Sequence, residues 1–247
     1  MLTKPVGKEL IENHEVVSED NWIEARRELL KKEKEMSHAL EALNRERRAL
    51  PWVKVEKNYV FEGPDGRETL ADLFGPNDQL VVYHFMFAPG WDEGCVGCSF
   101  VSDNFDGANM HLKHRDVSLV AVSRAPLAEF QEFRKRMGWQ FKWVSSSGGD
   151  FNYDYQVSFK KEAVESGDVL YNYKLQKLEE LEQPGLSVFY KNPAGEVFHT
   201  YSTYEAGLDI LLEVHHLLDM TPKGRREHEG FWWDYHDRYL GDSKPAH

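Results

Sequence analysis

The sequence predicts an α/β fold with a central mixed sheet between helices, a long N-terminal helix and a C-terminal aromatic tail. Three observations predict it. Residues 80–87 (LVVYHFMF) and 116–123 (DVSLVAVS) are short, continuously apolar runs of the kind buried on both sheet faces. Each precedes a segment of helical periodicity, the order that joins parallel strands by crossovers. Later, residues 186–190 (LSVFY) meet residues 196–200 across the turn Asn192-Pro193-Ala194-Gly195, so an antiparallel pair closes the sheet.

Composition bounds the function. The chain has 247 residues, 41% hydrophobic and 29% charged, enough for one substantial core with accessory elements. The net charge is −12, from 30 Lys and Arg against 42 Asp and Glu. That argues against nucleic-acid binding, which rests on basic residues neutralising phosphates. No run approaches the roughly 18 apolar residues that span a membrane. Residues 1–17 show no apolar leader core. We expect a cytoplasmic protein with no membrane partner, in which two cysteines are not a disulfide scaffold.

In chain order, residues 18–50 read as one helix. Ser18 is the N-cap, Glu19 and Asp20 suit the first turn, and Pro51 ends it. Trp22, Leu29, Met36, Leu43 and Leu50 recur every seven residues. That stripe fits packing on the main domain or a homodimer contact through residues 18–50. Two extended pieces flank the turn Pro64-Asp65-Gly66. A helix is expected over 100–112. Another follows Pro126, with Leu127, Phe130, Phe133 and Met137 on one face, and a third strand covers 141–144. Residues 148–183 are polar and irregular, an insertion. Residues 204–218 read as a helix. The tail carries Phe231, Trp232, Trp233, Tyr235 and Tyr239, which suggests that it docks. The organisation is 1–51, a helical extension; 52–220, the α/β domain with its insertion; and 221–247, the tail.

The only cysteines are Cys95 and Cys98, spaced Cys-x-x-Cys between an apolar strand and a helix. In such a turn the first thiol is exposed and activated by helix N–H groups, and the second resolves the mixed disulfide. Cys95 is the expected nucleophile and Cys98 the resolving thiol. The alternative is a copper or zinc site in which His199 joins the two cysteines as soft ligands. His111 and His114, about four turns further on, are expected on the surface, and His84 as a hydrogen-bonded core residue.

These residues resemble the thioredoxin fold, a three-layer sandwich, and within it the thiol-peroxidase branch. The resemblance rests on the strand leading to Cys95-Val-Gly-Cys98, on residues 68–74 (ETLADLF) and on residues 183–190 (QPGLSVFY). RDVSLVAVSRAPL, RMGW and DFNYD are closer still to an uncharacterised thioredoxin-like family labelled predicted dithiol–disulfide oxidoreductases. The resemblance implies a cis Pro184 facing the active site and a dithiol–disulfide activity. It requires no organic cofactor, only a disulfide substrate and a recycling reductant or small thiol.

Asp92 and Glu93 depart from that pattern. Two carboxylates beside Cys95 disfavour a thiolate, so a positive partner is expected, and Arg124 at a strand end is the candidate. Peroxidase chemistry is disfavoured, because Asp92 stands where that branch places a hydroxyl. Trp91 is either a substrate platform or packing.

Overall fold

The computed structural model describes residues 14–226, 230 and 232–239. Phe231 and the outer parts of both terminal segments lie outside them. The chain divides into two compact units, residues 1–51 with 214–231 and residues 52–213 with 232–247.

The first unit carries α1 (Glu19–Ala49). The Asn21 N–H donates to Ser18 Oγ at 3.3 Å, which satisfies one of the free donors at the helix start. Glu19 and Asp20 in the first turn, with Arg47 and Arg48 in the last, complement the helix dipole. No residue of α1 is buried, and Trp22, Leu29, Met36, Leu43 and Leu50 are all exposed. In the same unit Arg225 forms a two-pronged pair with Asp219 at 2.8 and 2.6 Å and approaches His215 Nδ1 at 3.3 Å.

The second unit holds an eight-stranded sheet of β1 (Val53–Lys54), β2 (Val60–Gly63), β3 (Gly66–Thr69), β4 (Gln79–His84), β5 (Val117–Ser123), β6 (Lys142–Ser145), β9 (Gly185–Lys191) and β10 (Val197–Tyr204). Its order is β1-β10-β9-β4-β5-β6-β2-β3. β4, β5 and β6 run parallel, and every other pairing is antiparallel. The arrangement β10-β9-β4-β5 is the thioredoxin-like core, with the strand before the cysteines at its centre. Within the insertion, β7 (Val169–Tyr171) and β8 (Lys174–Gln176) form a separate hairpin.

Strand alternation divides the core between two sheet faces. On one, Tyr83, Phe85 and Phe87 meet Phe130, Phe133 and Trp143. On the other, Leu80, Val82, Val120 and Val122 meet Phe151 and Phe189. His84 belongs to the second face and is buried, as expected, with Nε2 2.8 Å from Ser187 Oγ. The chain of hydroxyls continues from Ser187 to Ser202 at 2.8 Å and ends on His199 Nε2 at 2.7 Å. Burial lowers the pKa of both histidines, that of His84 to about 3.

Two expected helices are broken. The segment after the cysteines is α2 (Val96–Ser102) followed by α3 (Phe105–Leu112). At the junction Asp103 Oδ1 accepts from Trp139 Nε1 at 2.8 Å, and Asp106 accepts from the Gln140 and Phe141 N–H groups at 2.8 and 2.7 Å. These tertiary bonds hold the kink. The helix expected over 204–218 is a 3-10 turn, Glu205–Leu211, before a helix at Glu213–Asp219. β10 runs on to Tyr204, and Glu205 takes a left-handed φ of 48° that the interior of an α-helix does not accommodate. The helix after Pro126, α4 (Leu127–Arg136), forms as the periodicity predicts and buries Phe130 and Phe133.

Candidate active site

β4 delivers its chain to the cysteines. Past His84 the Phe85 N–H still donates to Val122 O at 2.9 Å, so the extended path outlasts the strand. A loop then turns back, and the Cys95 N–H donates to Met86 O at 3.1 Å. Cys95 is the N-cap of α2: its Sγ accepts from the Cys98 N–H at 3.4 Å, and its carbonyl accepts from Ser99 N–H and Oγ–H, both at 2.9 Å. Cys98 lies beneath, only 2% exposed, with Sγ 3.5 Å from the Met86 N–H. Both are free thiols, Cys95 partly exposed and Cys98 buried.

This geometry separates their acidities. The Cys98 thiol, hydrogen-bonded to Cys95, together with the Cys98 and Gly97 N–H groups, pushes the Cys95 pKa down to about 7. Burial and the charge of Glu180 oppose that shift. Burial first, then the bond to Cys95, pushes Cys98 well up. Near neutral pH the partly exposed Cys95 therefore passes between thiol and thiolate, while the buried Cys98 stays a thiol.

The charge of Glu93 is answered from elsewhere in the chain. Its carboxylate accepts from Arg136 and, through both oxygens at 2.8 Å, from Arg238 Nη2. Arg136, then Arg238, holds the Glu93 pKa below the usual range. Arg136 also grips Asp237 at 2.7 and 3.1 Å. Both guanidiniums also meet the Tyr235 ring, Arg136 at 5.1 Å and Arg238 at 4.6 Å, within cation–π range. Tyr235 is 3% exposed, and its hydroxyl donates to Gly94 O, the carbonyl just before Cys95. Nearby, His236 Nδ1 lies 2.6 Å from Asp103 Oδ1, and Trp233 stacks on Phe100 of α2 at 5.7 Å. Among the described residues of the tail, those from Trp233 to Arg238 dock on the cysteine turn.

Other sequence candidates fall as follows. Arg124 is engaged by a carboxylate: its Nε donates to Glu182 Oε1 at 2.6 Å, and its guanidinium lies 6.0 Å from the Tyr153 ring. Glu182 is 2% exposed, with its other oxygen accepting from Ser158 at 2.5 Å. A buried carboxylate requires such a cation, which corrects the expected pairing with Cys95. Pro184 lies beside the cysteines, but the bond before it is trans, not cis; among the described residues no peptide is cis. The chain is led into β9 by Gln183 N–H donating to Val157 O at 2.8 Å and Tyr171 Oη–H to Pro184 O at 2.7 Å. Trp91 is half-buried on Phe87, 6.5 Å between rings. His199 belongs to the sheet face opposite Cys98, against Tyr155 and Phe189. It therefore does not join the cysteines, and among the described residues no three His, Cys, Asp or Glu side chains converge to hold a metal ion. Nor is any described helix long and apolar enough to cross a membrane.

Tyr235, Arg136 and Arg238 were not picked out by the motif. The carboxylates at 92 and 93 signalled that a cation was needed. Nothing local signalled that one would come from the end of α4 and the other from a residue 145 positions away.

A thioredoxin-like α/β domain with a Cys-x-x-Cys turn is thus the class that fold and site define. The chain belongs to the family described as bacterial protein of unknown function (DUF899), matched over residues 11–239. No curated protein matches it. Among solved structures it is similar to the peroxidoxin BcpB from Mycobacterium tuberculosis, with 13% identity, 66% of this chain and 91% of that one covered, and a TM-score of 0.45. It is also similar to PrxQ from Xylella fastidiosa, with 12% identity, 67% and 94% covered, and a TM-score of 0.41. A candidate protein disulfide isomerase from Bacteroides thetaiotaomicron gives 17% identity, 72% and 98% covered, and a TM-score of 0.37.

Proposed function

We propose that the protein is a dithiol–disulfide oxidoreductase using Cys95 and Cys98. One observation carries this reading: a partly exposed Cys95, its pKa lowered to about 7, stands on the N–H of a buried, protonated Cys98 at 3.4 Å. The Cys95 thiolate attacks a substrate disulfide, forms a mixed disulfide and expels one thiolate. Cys98 loses its proton, attacks Cys95 Sγ and expels the second. The substrate gains two electrons and the pair becomes a disulfide, which an external thiol or dithiol reductant returns to the starting state. Asp92 is exposed and offers no hydroxyl at the position the peroxidase branch uses, so a disulfide is the favoured substrate over a peroxide.

Thiol trapping with intact-mass detection across a graded dithiothreitol and glutathione series tests the proposal. A reversible transition of two thiols together is expected, abolished by Cys95→Ser and by Cys98→Ser. Two cysteines that alkylate equally at every potential would overturn it.

A further inference from the structure

The cavity beside the cysteines has a chemistry of its own. It is open, has a volume of about 230 Å³, and reaches both Cys95 and Cys98. Its walls are mainly apolar, from Val101, Pro184, Leu208 and Leu212. Drug-sized ligands occupy roughly 300–1,000 Å³, so this space takes a short arm rather than a large peptide-like molecule. Two acids line it, Glu205 and Asp209, and among the described residues no lysine or arginine does.

Glu205 is built into place. Its φ of 48° is a left-handed conformation, which a non-glycine residue adopts at a cost and which clusters at functional positions. Its Oε2 accepts from Asn172 Nδ2 at 2.7 Å and its Oε1 from Gln176 Nε2 at 3.1 Å. Asn172 and Tyr173 have φ values of 49° and 62°, so the turn of the β7–β8 hairpin is itself shaped to present that amide. These bonds hold the Glu205 carboxyl ionised. Lys174, from the same hairpin, stands 3.8 Å away and offsets the charge only in part at that distance in water. The charge of Glu180 also reaches Cys95.

The geometry points to a substrate class: a low-molecular-weight disulfide with short hydrocarbon arms ending in ammonium groups, its arm in the apolar cavity and its charge at Glu205. This rests on the exchange reading above and deepens it. The reaction balances in the same way. Cys95 Sγ bonds one substrate sulfur as the substrate S–S bond breaks, and the first aminothiolate leaves and takes a proton. Closure of the Cys95–Cys98 bond releases the second.

Three small disulfides differing in end charge test it: cystamine, bis(2-hydroxyethyl) disulfide and dithiodiglycolate. Their rates of oxidising the reduced protein are each divided by their rates with free dithiothreitol, which removes the difference in leaving-group chemistry. We expect cystamine to exceed dithiodiglycolate by about tenfold or more at low salt, with the neutral compound between, as unit charges a few ångströms from a carboxylate near a protein surface require. The Glu205→Gln variant, shown to be folded by its circular dichroism, is expected to lose most of that spread. A flat or inverted series in the wild type overturns the assignment whatever the variant does. If the pair shows its two-thiol redox transition but none of the three outruns dithiothreitol, the substrate class fails and the exchange reading stands. Absence of the transition itself sinks both.

Discussion

The flank of the cysteine turn that meets residues 233–238 and the flank that meets the cavity are built from opposite materials. On the first, a phenol, two guanidiniums and two carboxylates lock Glu93 and Gly94 to the tail, and Tyr235 is buried among them. On the second, Val101, Pro184, Leu208 and Leu212 line open space. The difference separates two demands that exchange chemistry makes on one residue. Cys95 must be held in register with Cys98, and it must also be reachable. Directional bonds supply the first from behind the turn. Apolar walls leave the second side free, because they make no bond that an incoming substrate would have to break.

Two glycines measure that contrast, and here the largest effect is expected. Gly94 is buried on the tied flank, and a Cβ there would lie 2.6 Å from Phe85 Cε1 and 2.9 Å from Phe133 Cε1. Both rings belong to the packed core and cannot withdraw. Gly94→Ala is expected to cost about 3 kcal/mol, the upper part of the overpacking range. Gly97 lies three residues on, where a Cβ would meet only Cys95 Sγ at 3.8 Å and Trp233 Nε1 at 3.9 Å, ordinary contact distances. Gly97→Ala is expected to be neutral or to stabilise by up to about 1 kcal/mol, since alanine favours the helix. Thermal melts of the two variants check this. Equal melting temperatures would erase the contrast.

The second effect concerns the sulfurs. Cys98 makes the largest contribution to lowering the Cys95 pKa to about 7. The rate of alkylation by iodoacetamide should therefore rise as pH increases through about 7, as thiol becomes thiolate. In Cys98→Ala the rise should move up by about one pH unit, equivalent to roughly 1.4 kcal/mol, and alkylation at pH 7 should slow about fivefold. An unmoved midpoint would mean that the N–H groups of the turn, and not the resolving thiol, activate Cys95.

Much of this architecture was legible in the sequence, for identifiable reasons. The strands 80–87 and 116–123 declared themselves because burial on both faces leaves them mostly apolar. α1 declared itself through Ser18, its charged ends and Pro51. The cysteine pair stood out because nothing else in the chain shares its chemistry. What could not be read depended on distant partners. The kink after Ser102 is held by Trp139, Gln140 and Phe141, more than thirty residues on. Arg124 was assigned to Cys95 by its place at a strand end, yet buried Glu182 claims it. Sequence order locates a charge on the sheet but not the counter-charge with which it pairs. The tail's aromatics said that it docks. Only the fold says where.

A third and smaller effect isolates one bond of the tied flank. Tyr235→Phe keeps the ring against Arg136 and Arg238 and removes only the donor to Gly94 O. The carbonyl before Cys95 is left without that partner, which is expected to cost about 1 kcal/mol. Urea melts should show a lower midpoint with an unchanged slope. A stability equal to wild type would mean that the aromatic packing alone seats the tail.

The smallest effect comes from pH. Glu93 and Asp237 both have folded-state pKa values below the ordinary carboxylate range, in each case first because of Arg136. A carboxyl depressed in this way stabilises the folded form above its unfolded pKa of about 4, and that contribution is lost as pH falls through the folded value. Both side chains are about one-third exposed, so the individual contributions are small and screened by salt. Their loss is coupled, however, because protonating either frees the same guanidinium. The tail should therefore loosen below about pH 4, before the sheet core, which contains none of these charges. Brief pepsin digestion at graded acid pH, mapped by mass spectrometry, should find the first cuts around residues 232–239 and should find them at higher pH in Arg136→Gln. If the tail resists until the whole chain unfolds, Tyr235 and Trp233 hold it by packing, and the charges around Glu93 serve only to keep a carboxylate from opposing the Cys95 thiolate.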